Sequence, residues 1–507
     1  MARLKRLILP CFWLTAILAL GASVRVWNIG ERDLWLDEAL SVFYAGLPLE
    51  TLVELRRTGT NPPLYHIVLG WWVRVFGDGE QALRMMSAVA GMAAVGLAYP
   101  LGCRLGGRRT GIVACVLLAV NNWAVCYSQE ARYYALIEAL SMLTTLLLYD
   151  VLATGRTGRL VGYAVAAAVS LWVHTFAWFV LLAQVVWVVL RLRAMPSDNR
   201  RRRLTVHLSI AGGAVILSFV PWLPILADQM RTVSASYWIP RPGWVDLERW
   251  ARGMLAPWPG LRIPTLATCA IAVAWTMFRR SAVRKRPAPA RPGTTRLDTG
   301  YLFLWALIPL VLPVIWSLVG TPVFQPKYAI VCQPATVLLL ALFAARRQTL
   351  CCTLYAAFVL ATWPAETALV HEDWRAAARL IDEQAAKDAR IFVYHDYCYF
   401  PLRYYLSAGR SITPVLQPDK PRSEFADLYP HECVLRAQVR EAARSGDEVW
   451  VVLAHIRRGA EEADYEALVG GSCRNGTSCA RHALKEVEVL CLNSAIPADD
   501  ELRHGDE

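Results

Sequence analysis

Long stretches without a charged residue dominate the hydrophobic pattern of the chain. Most of them reach the ~17–25 residues that a helix needs to cross the hydrocarbon core of a bilayer. Eight contain no Asp, Glu, Lys or Arg: Leu7–Val24, Met85–Cys103, Thr110–Gln129, Leu204–Ala227, Ile263–Phe278, Thr299–Pro326, Tyr328–Ala345 and Gln348–Ala365. Tyr133–Tyr149 is interrupted only by Glu138, and Leu160–Leu190 is long enough for two short spans with a turn near His174. The pattern predicts a polytopic α-helical membrane protein with about eleven transmembrane helices.

The first stretch, Leu7–Val24, has two interpretations. It follows Lys5 and Arg6, as the apolar core of a secretory signal peptide follows a basic segment. A signal peptide ends at a small-residue cleavage site, whereas this stretch continues into Arg25–Asp37, which is rich in Trp and charge. We therefore interpret Leu7–Val24 as a retained first span.

The positive charge of the chain lies in short loops. The sequence is 56% hydrophobic and 19% charged, against roughly 45–50% and about 25% in soluble domains, and its formal net charge is +12. Every basic cluster falls on one side of the membrane if the eleven spans are correct, and by the positive-inside rule that side is the cytoplasm. Topology thus explains the charge, and no nucleic acid partner is predicted. The clusters are Arg3/Lys5/Arg6, Arg104/Arg108/Arg109, Arg156/Arg159, Arg191 to Arg203, Arg279 to Arg296 and Arg346/Arg347.

This sidedness predicts a multi-pass protein of the plasma (inner) membrane with a cytoplasmic N-terminus and an outside C-terminus. The first extracytoplasmic loop, 25–84, contains Leu64–Phe76, which is too short to span and predicts an interfacial helix. Residues 1–369 are predicted as the transmembrane domain, and residues 370–507 as a small extracytoplasmic α/β domain, because strands alternate there with helices. Its predicted elements are helices at Glu372–Gln384, Cys433–Arg444 and Glu461–Leu468, and strands at Arg390–Tyr394, Glu448–Ala454 and Val487–Leu492.

Two cysteines of the terminal domain are the best candidates for a disulfide. Cys473 and Cys479 flank the turn-like sequence RNGTS, and an outside domain lies in a compartment where disulfides persist. Zinc binding is the alternative, but the chain has no CxxC pair. No cofactor is predicted with certainty. Carboxylates at the outer face could hold a divalent metal, although no ligand spacing supports one.

An acidic pair follows the first span in the sequence WLDEALS. Asp37 precedes an apolar run, so one interpretation is an N-terminal helix cap, where an acid is favourable. Adjacent carboxylates are not needed for membrane insertion, so the alternative is that Asp37 and Glu38 carry chemistry. The residues by themselves leave both interpretations open.

Three cations and a further acid are expected at the same outer membrane surface. YSQEARYY contains Glu130 and Arg132, FQPKYAI contains Lys327 between two long apolar stretches, and Arg84 opens the second span. The structural alternatives are a salt-bridged hairpin and an interfacial lysine that extends to the headgroups. Together the set fits a leaving phosphate held by cations, and a carboxylate that takes a proton from an attacking group.

An ordered series of motifs covers most of the chain: LWLDEALS, NPPLYHIVLGWW, EQALRMMSAVAG, YSQEARYYAL, HTFAWFVLLAQ, QPKYA and EDWRAAARLI. Each motif is weak by itself, but the order is specific. By these motifs the chain resembles the GT-C class of integral-membrane glycosyltransferases. Within that class it is most similar to the group of protein O-mannosyltransferases, the aminoarabinose transferase that acts on lipid A, and the bacterial RgtA/B/C/D-like enzymes.

The resemblance implies an inverting glycosyltransferase of the cell envelope, which moves a hexosyl or pentosyl group from a polyprenyl-phosphate donor to a lipid, glycan or protein acceptor on the extracytoplasmic face. It implies that Asp37 and Glu38 are catalytic, with Asp37 as general base. The cations Arg132, Lys327 and Arg84 would bind the donor phosphate. The predicted substrate-binding residues are Glu130, Gln129, Tyr133, Asn61, His66 and His174. Many relatives have His in place of Asn61, a difference that would alter acceptor or metal contacts. Many also have Arg in place of Lys327. Lysine keeps the positive charge but lacks the planar guanidinium fork that binds a phosphate through two hydrogen bonds.

A transporter or flippase of lipid-linked glycans is the main alternative, because it also needs an amphipathic cavity and cations for phosphate. The sequence shows no inverted repeat and no matching pair of broken helices, and its candidate charges gather at one membrane face. These features favour the enzyme. A non-catalytic partner subunit is a third alternative, against which the intact acidic pair argues.

Overall fold

The chain divides into two units in the computed structural model, one comprising Met1–Ile29 with Pro48–Thr367 and the other Gly30–Leu47 with Ala368–Glu507. The structure describes residues 2–57, 59, 61–236, 239–256, 296–347, 350, 354–355, 372–416, 428–429, 433–444, 448–454, 479–484 and 487–492. Residues 30–47, which the sequence predicts as part of the domain 1–369, thus group with the second unit.

Helices build the described part of the first unit, because a helix satisfies the backbone groups of an apolar stretch internally. In chain order they are α1 Ala2–Val26, α3 Leu49–Arg56, α4 Leu64–Phe76, α5 Glu80–Gly106, α6 Arg108–Val120, α7 Asn122–Cys126, α8 Tyr134–Thr154, α9 Thr157–Val173, α10 Ala177–Arg193, α11 Asn199–Phe219, α12 Leu223–Ser236, α13 Trp244–Leu255, α14 Arg296–Val319 and α15 Gln333–Arg346. Short 3-10 turns lie at Tyr127–Gln129, Val220–Trp222 and Pro326–Cys332. Small residues bring α5 and α6 close together, since a methyl group on Gly102 would lie 2.7 Å from Cα of Gly111.

Five helical segments of the described residues are long and apolar enough to cross a membrane. They are Glu80–Gly106, Tyr134–Thr154, Asn199–Arg231, Asp298–Val319 and Pro326–Ala345. Each overlaps a predicted span, while the apolar helix segments Trp13–Val26 and Thr157–Val173 are shorter. The predicted span Ile263–Phe278 and nearly all of Gln348–Ala365 lie outside the described residues. The total of eleven spans therefore stays a prediction.

Two predicted helix boundaries have different outcomes. The turn near His174 is confirmed, because α9 ends at Val173 and α10 begins at Ala177. The stretch Thr110–Gln129 is not one continuous helix, so this part of the prediction is wrong. Asn121 has an extended backbone, and its side chain accepts a hydrogen bond at 3.1 Å from the N–H of Ala124. This cap ends α6 and starts α7, a feature that an uncharged apolar run does not reveal.

The second unit contains a five-stranded mixed sheet in the order β2-β1-β3-β5-β4. The first three strands are parallel, and β5 is antiparallel to both β3 and β4. Aliphatic and aromatic side chains such as Phe392, Val451 and Leu490 form a buried core on the sheet. The elements are α2 Leu36–Ala45, α16 Trp374–Gln384, β1 Arg390–Tyr394, α17 Tyr399–Tyr405, β2 Ile412–Pro414, α18 Arg436–Arg444, β3 Val449–Ala454, β4 Cys479–Leu484 and β5 Val487–Leu492.

The elements predicted between residues 372 and 492 match the described ones closely. Strands β1 and β5 have the predicted bounds, and β3 begins one residue later than predicted. Helix α16 buries Trp374, Ala378 and Ile381, the residues that the helical spacing places on one face. The predicted helix Glu461–Leu468 lies outside the described residues. The predicted disulfide also falls outside them, because Cys473 and the side chain of Cys479 are not described.

Candidate functional site

The acidic pair lies in the first turn of α2, within the second unit. Trp35 occupies the N-cap position and no side chain caps the helix, so the interpretation of Asp37 as an N-terminal cap is wrong. Asp37 is half-buried, whereas the side chain of Glu38 is 1% exposed. Both carboxylates lie in the first turn, near the positive end of the helix dipole.

Several contacts within the second unit fix the position of α2. The ring of Phe43 lies edge-on to that of Phe400, with centroids 5.2 Å apart. The N–H of Leu34 donates to the Tyr405 hydroxyl at 2.8 Å. Asp33 accepts from the N–H of Arg375 at 2.7 Å and pairs with its guanidinium at 3.2 Å. The acidic pair is therefore held by the same unit that contains the sheet.

A group of cations and tyrosines, the cation–tyrosine cluster, lies in the first unit. It consists of Arg132, Tyr133, Tyr134, Lys327 and Tyr328. The Arg132 guanidinium carbon lies 4.7 Å from the ring centroid of Tyr133 and 5.9 Å from that of Tyr134. The Lys327 Nζ lies 6.0 Å from the centroids of both Tyr134 and Tyr328. The structure thus brings the two predicted phosphate-binding cations to within 6.0 Å of the centroid of the Tyr134 ring, which is within the range of cation–π attraction.

Asn61 connects this cluster to two loops. Its Oδ1 accepts from the N–H and the hydroxyl of Thr175 at 3.2 and 3.3 Å, and its Nδ2 donates to the Tyr133 hydroxyl at 3.3 Å. The Tyr133 hydroxyl also accepts from Arg132 at 3.0 Å. The backbone oxygen of Asn61 accepts two bonds from Arg56, at 2.8 and 3.2 Å. Asn61 therefore positions Tyr133, and through it Arg132.

His66 lies on α4, and Tyr65 connects it to Tyr133. Its ring is edge-on to Tyr65 at 5.4 Å, and Tyr65 is edge-on to Tyr133 at 5.7 Å. Burial, followed by the positive charges of Arg56 and Arg132, lowers the pKa of His66 well below its usual range. The imidazole is therefore neutral at pH 7.

His174 contacts the cluster from the turn between α9 and α10. Its ring centroid lies 4.6 Å from that of Tyr133, 5.5 Å from that of Tyr328 and 6.5 Å from that of Tyr134. The ring centroid of Phe176 lies 5.6 Å from that of His174, with the two rings edge-on. Three predicted site residues from distant parts of the sequence, Asn61, Tyr133 and His174, thus come together.

Gln129 and Arg84 both donate hydrogen bonds to backbone carbonyls. The Gln129 amide donates to the carbonyls of Val24, Arg25 and Trp27 at 3.0, 3.3 and 2.9 Å. Arg84 is 1% exposed and donates to the carbonyl of Ile29 at 2.9 Å. Both side chains fasten the end of α1 and the residues after it. Glu130 is also buried, and its carbonyl accepts from the N–H of Arg132 at 2.7 Å.

Sequence reasoning missed Tyr134, Tyr328, Arg56 and Thr175. The first two directly follow predicted site residues, in the motifs RYY and KY, and adjacency to a charge was the available signal. Arg56 and Thr175 act through Asn61, which only the tertiary structure shows. Among the residues that the structure describes, no group of three or more His, Cys, Asp or Glu side chains could hold a metal ion.

Comparisons with known proteins agree with this architecture. Residues 60–225 match the family described as dolichyl-phosphate-mannose-protein mannosyltransferase. The fold is similar to that of ArnT from Cupriavidus metallidurans in the apo state, with a TM-score of 0.60 and 15% identity over 96% of this chain and 98% of ArnT. For ArnT bound to undecaprenyl phosphate the TM-score is 0.56, at 15% identity over 95% and 98%. The Archaeoglobus fulgidus oligosaccharyltransferase matches with a TM-score of 0.48, at 12% identity over 87% and 67%.

No curated protein sequence matches the chain. The similarity to ArnT extends over nearly the full length of both chains, so it concerns the whole architecture rather than one shared segment. The predicted resemblance to the GT-C class of glycosyltransferases is confirmed.

Proposed function

From the GT-C glycosyltransferase fold of this chain, we propose that it is an inverting glycosyltransferase that uses a polyprenyl-phosphate-linked sugar. The sugar is a hexosyl or pentosyl group, and the acceptor is a lipid, glycan or protein on the extracytoplasmic face. The alternative function as a transporter or flippase needs no covalent chemistry, so an assay for product separates the two.

The cation–tyrosine cluster carries this proposal. Arg132 and Lys327 come from distant parts of the sequence, yet both lie within 6.0 Å of the Tyr134 ring. Two half-buried cations beside one ring favour an anionic ligand, because an anion there is attracted by both charges at once. Undecaprenyl phosphate bound to ArnT, which shares the fold, supports a lipid phosphate as that anion.

The mechanism assigns the base to Asp37. Its carboxylate takes the proton from the acceptor hydroxyl or amine, whose lone pair attacks the anomeric carbon. The bond between that carbon and the phosphate oxygen breaks, and the polyprenyl phosphate leaves with the electron pair. Arg132 and Lys327 stabilise the charge that develops on the phosphate, which is the largest electrostatic change in such a step.

Replacing Asp37 with Asn tests this assignment. We expect transfer from a polyprenyl-phosphate sugar to fall by a factor of about 10²–10⁴, the usual contribution of a general base. Glu31→Gln is the matched control, because Glu31 is an exposed acid six positions earlier in the same segment. Transfer at the wild-type rate by a folded Asp37→Asn protein would contradict the role of Asp37.

The assay is run with purified protein in detergent. Labelled product must appear there if the chain is an enzyme, whereas a flippase has no product without a bilayer. The predicted option of a divalent metal is tested in the same assay by chelation and metal restoration. Retention of the full rate after chelation would argue against metal dependence.

A further inference from the structure

The protonation of His174 follows from one hydrogen bond. Its Nδ1 accepts the N–H of Phe176 at 3.0 Å, so Nδ1 carries a lone pair and no proton. The imidazole is therefore neutral, and its proton lies on Nε2. The turn between α9 and α10 thus fixes both the tautomer and the direction of the Nε2–H group.

This Nε2–H group has no hydrogen-bond partner among the residues that the structure describes, although His174 is only 2% exposed. A buried donor that lacks an acceptor destabilises the folded protein, so such groups are rare in proteins. A ligand with an acceptor oxygen would remove that destabilisation on binding. The unsatisfied donor therefore indicates a place where a ligand is expected.

The cations around His174 specify the charge of that ligand. The ring of Tyr133 is shared between His174, at 4.6 Å, and Arg132, at 4.7 Å. The ring of Tyr328 is shared in the same way between His174, at 5.5 Å, and Lys327, at 6.0 Å. His174 thus shares a ring contact with each of two positive charges, in surroundings where an anion is stabilised and a further cation is not.

We propose that His174 binds the lipid-linked donor by donating its Nε2–H to a non-bridging phosphate oxygen, close to the charges of Arg132 and Lys327. This assignment rests on the proposed function and names a third phosphate ligand, which is neutral. A phosphate oxygen only accepts hydrogen bonds, which matches the Nε2–H donor of His174. A sugar hydroxyl would need no such pair of cations.

The test uses His174→Phe, which keeps a ring but removes the donor, and His174→Gln, whose amide N–H extends to the position of Nε2. The probe is undecaprenyl phosphate, titrated into purified protein in detergent. We expect the Phe variant to bind about tenfold more weakly, as for one lost hydrogen bond to a charged group, and the Gln variant to stay within about threefold of wild type. His207→Phe on α11 is the control for a histidine-to-phenylalanine change elsewhere in the first unit.

Each outcome bears on the assignment. Unchanged affinity of a folded Phe variant for undecaprenyl phosphate overturns it. Weaker binding of a sugar-bearing donor alone, with undecaprenyl phosphate unaffected, also overturns it, since the contact would then be to the sugar. If the Phe variant does not fold, His174→Asn, which keeps an acceptor near Nδ1 and lacks the Nε2 donor, is titrated instead. If the wild-type protein binds no polyprenyl phosphate, both the proposed function and this assignment are refuted. If only the variants lose affinity for undecaprenyl phosphate, the proposed function is intact and the assignment is supported.

Discussion

Tyrosine rings organise the charged residues of the first unit. Tyr133 accepts hydrogen bonds from Arg132 and Asn61, and its ring lies against both Arg132 and His174. The sequence predicted Arg132 and Lys327 as site residues from their charge in apolar surroundings. It did not predict Tyr134 or Tyr328, because aromatic residues are common at any membrane interface and carry little information by themselves.

His66 gives a pH dependence of stability. The pKa of His66 is lowered in the folded protein, mainly by burial, while the unfolded chain keeps a value near 6.5. The unfolded state therefore binds the proton more tightly, and stability falls as pH drops below about 6.5, by about 1.4 kcal/mol per pH unit until the folded-state pKa is reached. Above about 6.5 His66 contributes no pH dependence.

We expect His66→Asn to flatten the fall of the melting temperature between pH 6.5 and pH 5. The measurement is thermal unfolding in detergent followed by tryptophan fluorescence, with His207→Asn as control because His207 lies on α11, in a different part of the first unit. Equal slopes for the wild type and the His66 variant would show that His66 takes up its proton as easily in the folded protein as in the unfolded chain.

At the scale of elements, the site residues lie in loops and at helix ends, and the long helices hold those segments in position. The loop before α4, the turn before α10 and the segment after α7 supply Asn61, His174 and Arg132. Ser87 on α5 donates to the carbonyl of Arg132 at 3.1 Å, which ties that segment to a long helix. Apolar patterning predicted the helices well, because each has to bury or expose a continuous face. The break at Asn121 escaped it, since a capping amide does not interrupt hydrophobicity.

Gln129 is predicted to stabilise the position of the C-terminal end of α1. Replacing it with Leu removes a side-chain amide that donates to three carbonyls at the end of that helix. Leaving buried carbonyls unsatisfied should lower the free energy of unfolding by about 1–3 kcal/mol. Thermal unfolding in detergent measures this, and Gln81→Leu is the control because Gln81 is exposed on α5. A melting temperature equal to that of wild type would favour the original interpretation of Gln129 as a substrate ligand.

At the scale of the whole molecule, basic residues of several predicted cytoplasmic loops meet in the first unit. Asp150 pairs with both Arg104 and Arg159. Arg200 donates to the carbonyls at the end of α8, at 3.1 and 3.0 Å, and Arg191 lies 3.8 Å from Asp298. Loops that share one side of a membrane are expected to make such contacts, so they support the predicted sidedness.

A reporter of location tests that sidedness. Alkaline phosphatase, which folds only outside the cytoplasm, is inserted after Asp78, after Gly155 or at the C-terminus. We expect activity from the first and third fusions and none from the second, because the basic loop at Arg156 and Arg159 is retained in the cytoplasm. Activity after Gly155 would refute the alternation of the first spans, and an inactive C-terminal fusion would refute an odd number of spans.

The sequence by itself determined the helical membrane architecture, strands β1, β3 and β5 of the C-terminal region and the identity of the charged candidates, but not strands β2 and β4. These follow from local properties. They are the length and period of the apolar runs and the free-energy cost of placing an isolated charged residue in or beside such a run. Only the tertiary structure decided which candidates meet. It placed Arg132, Lys327 and His174 around shared tyrosines, and it used Gln129 and Arg84 to fasten backbone. It also grouped residues 30–47, with Asp37, in the unit of the sheet. Such long-range contacts depend on three-dimensional packing, which no local pattern encodes.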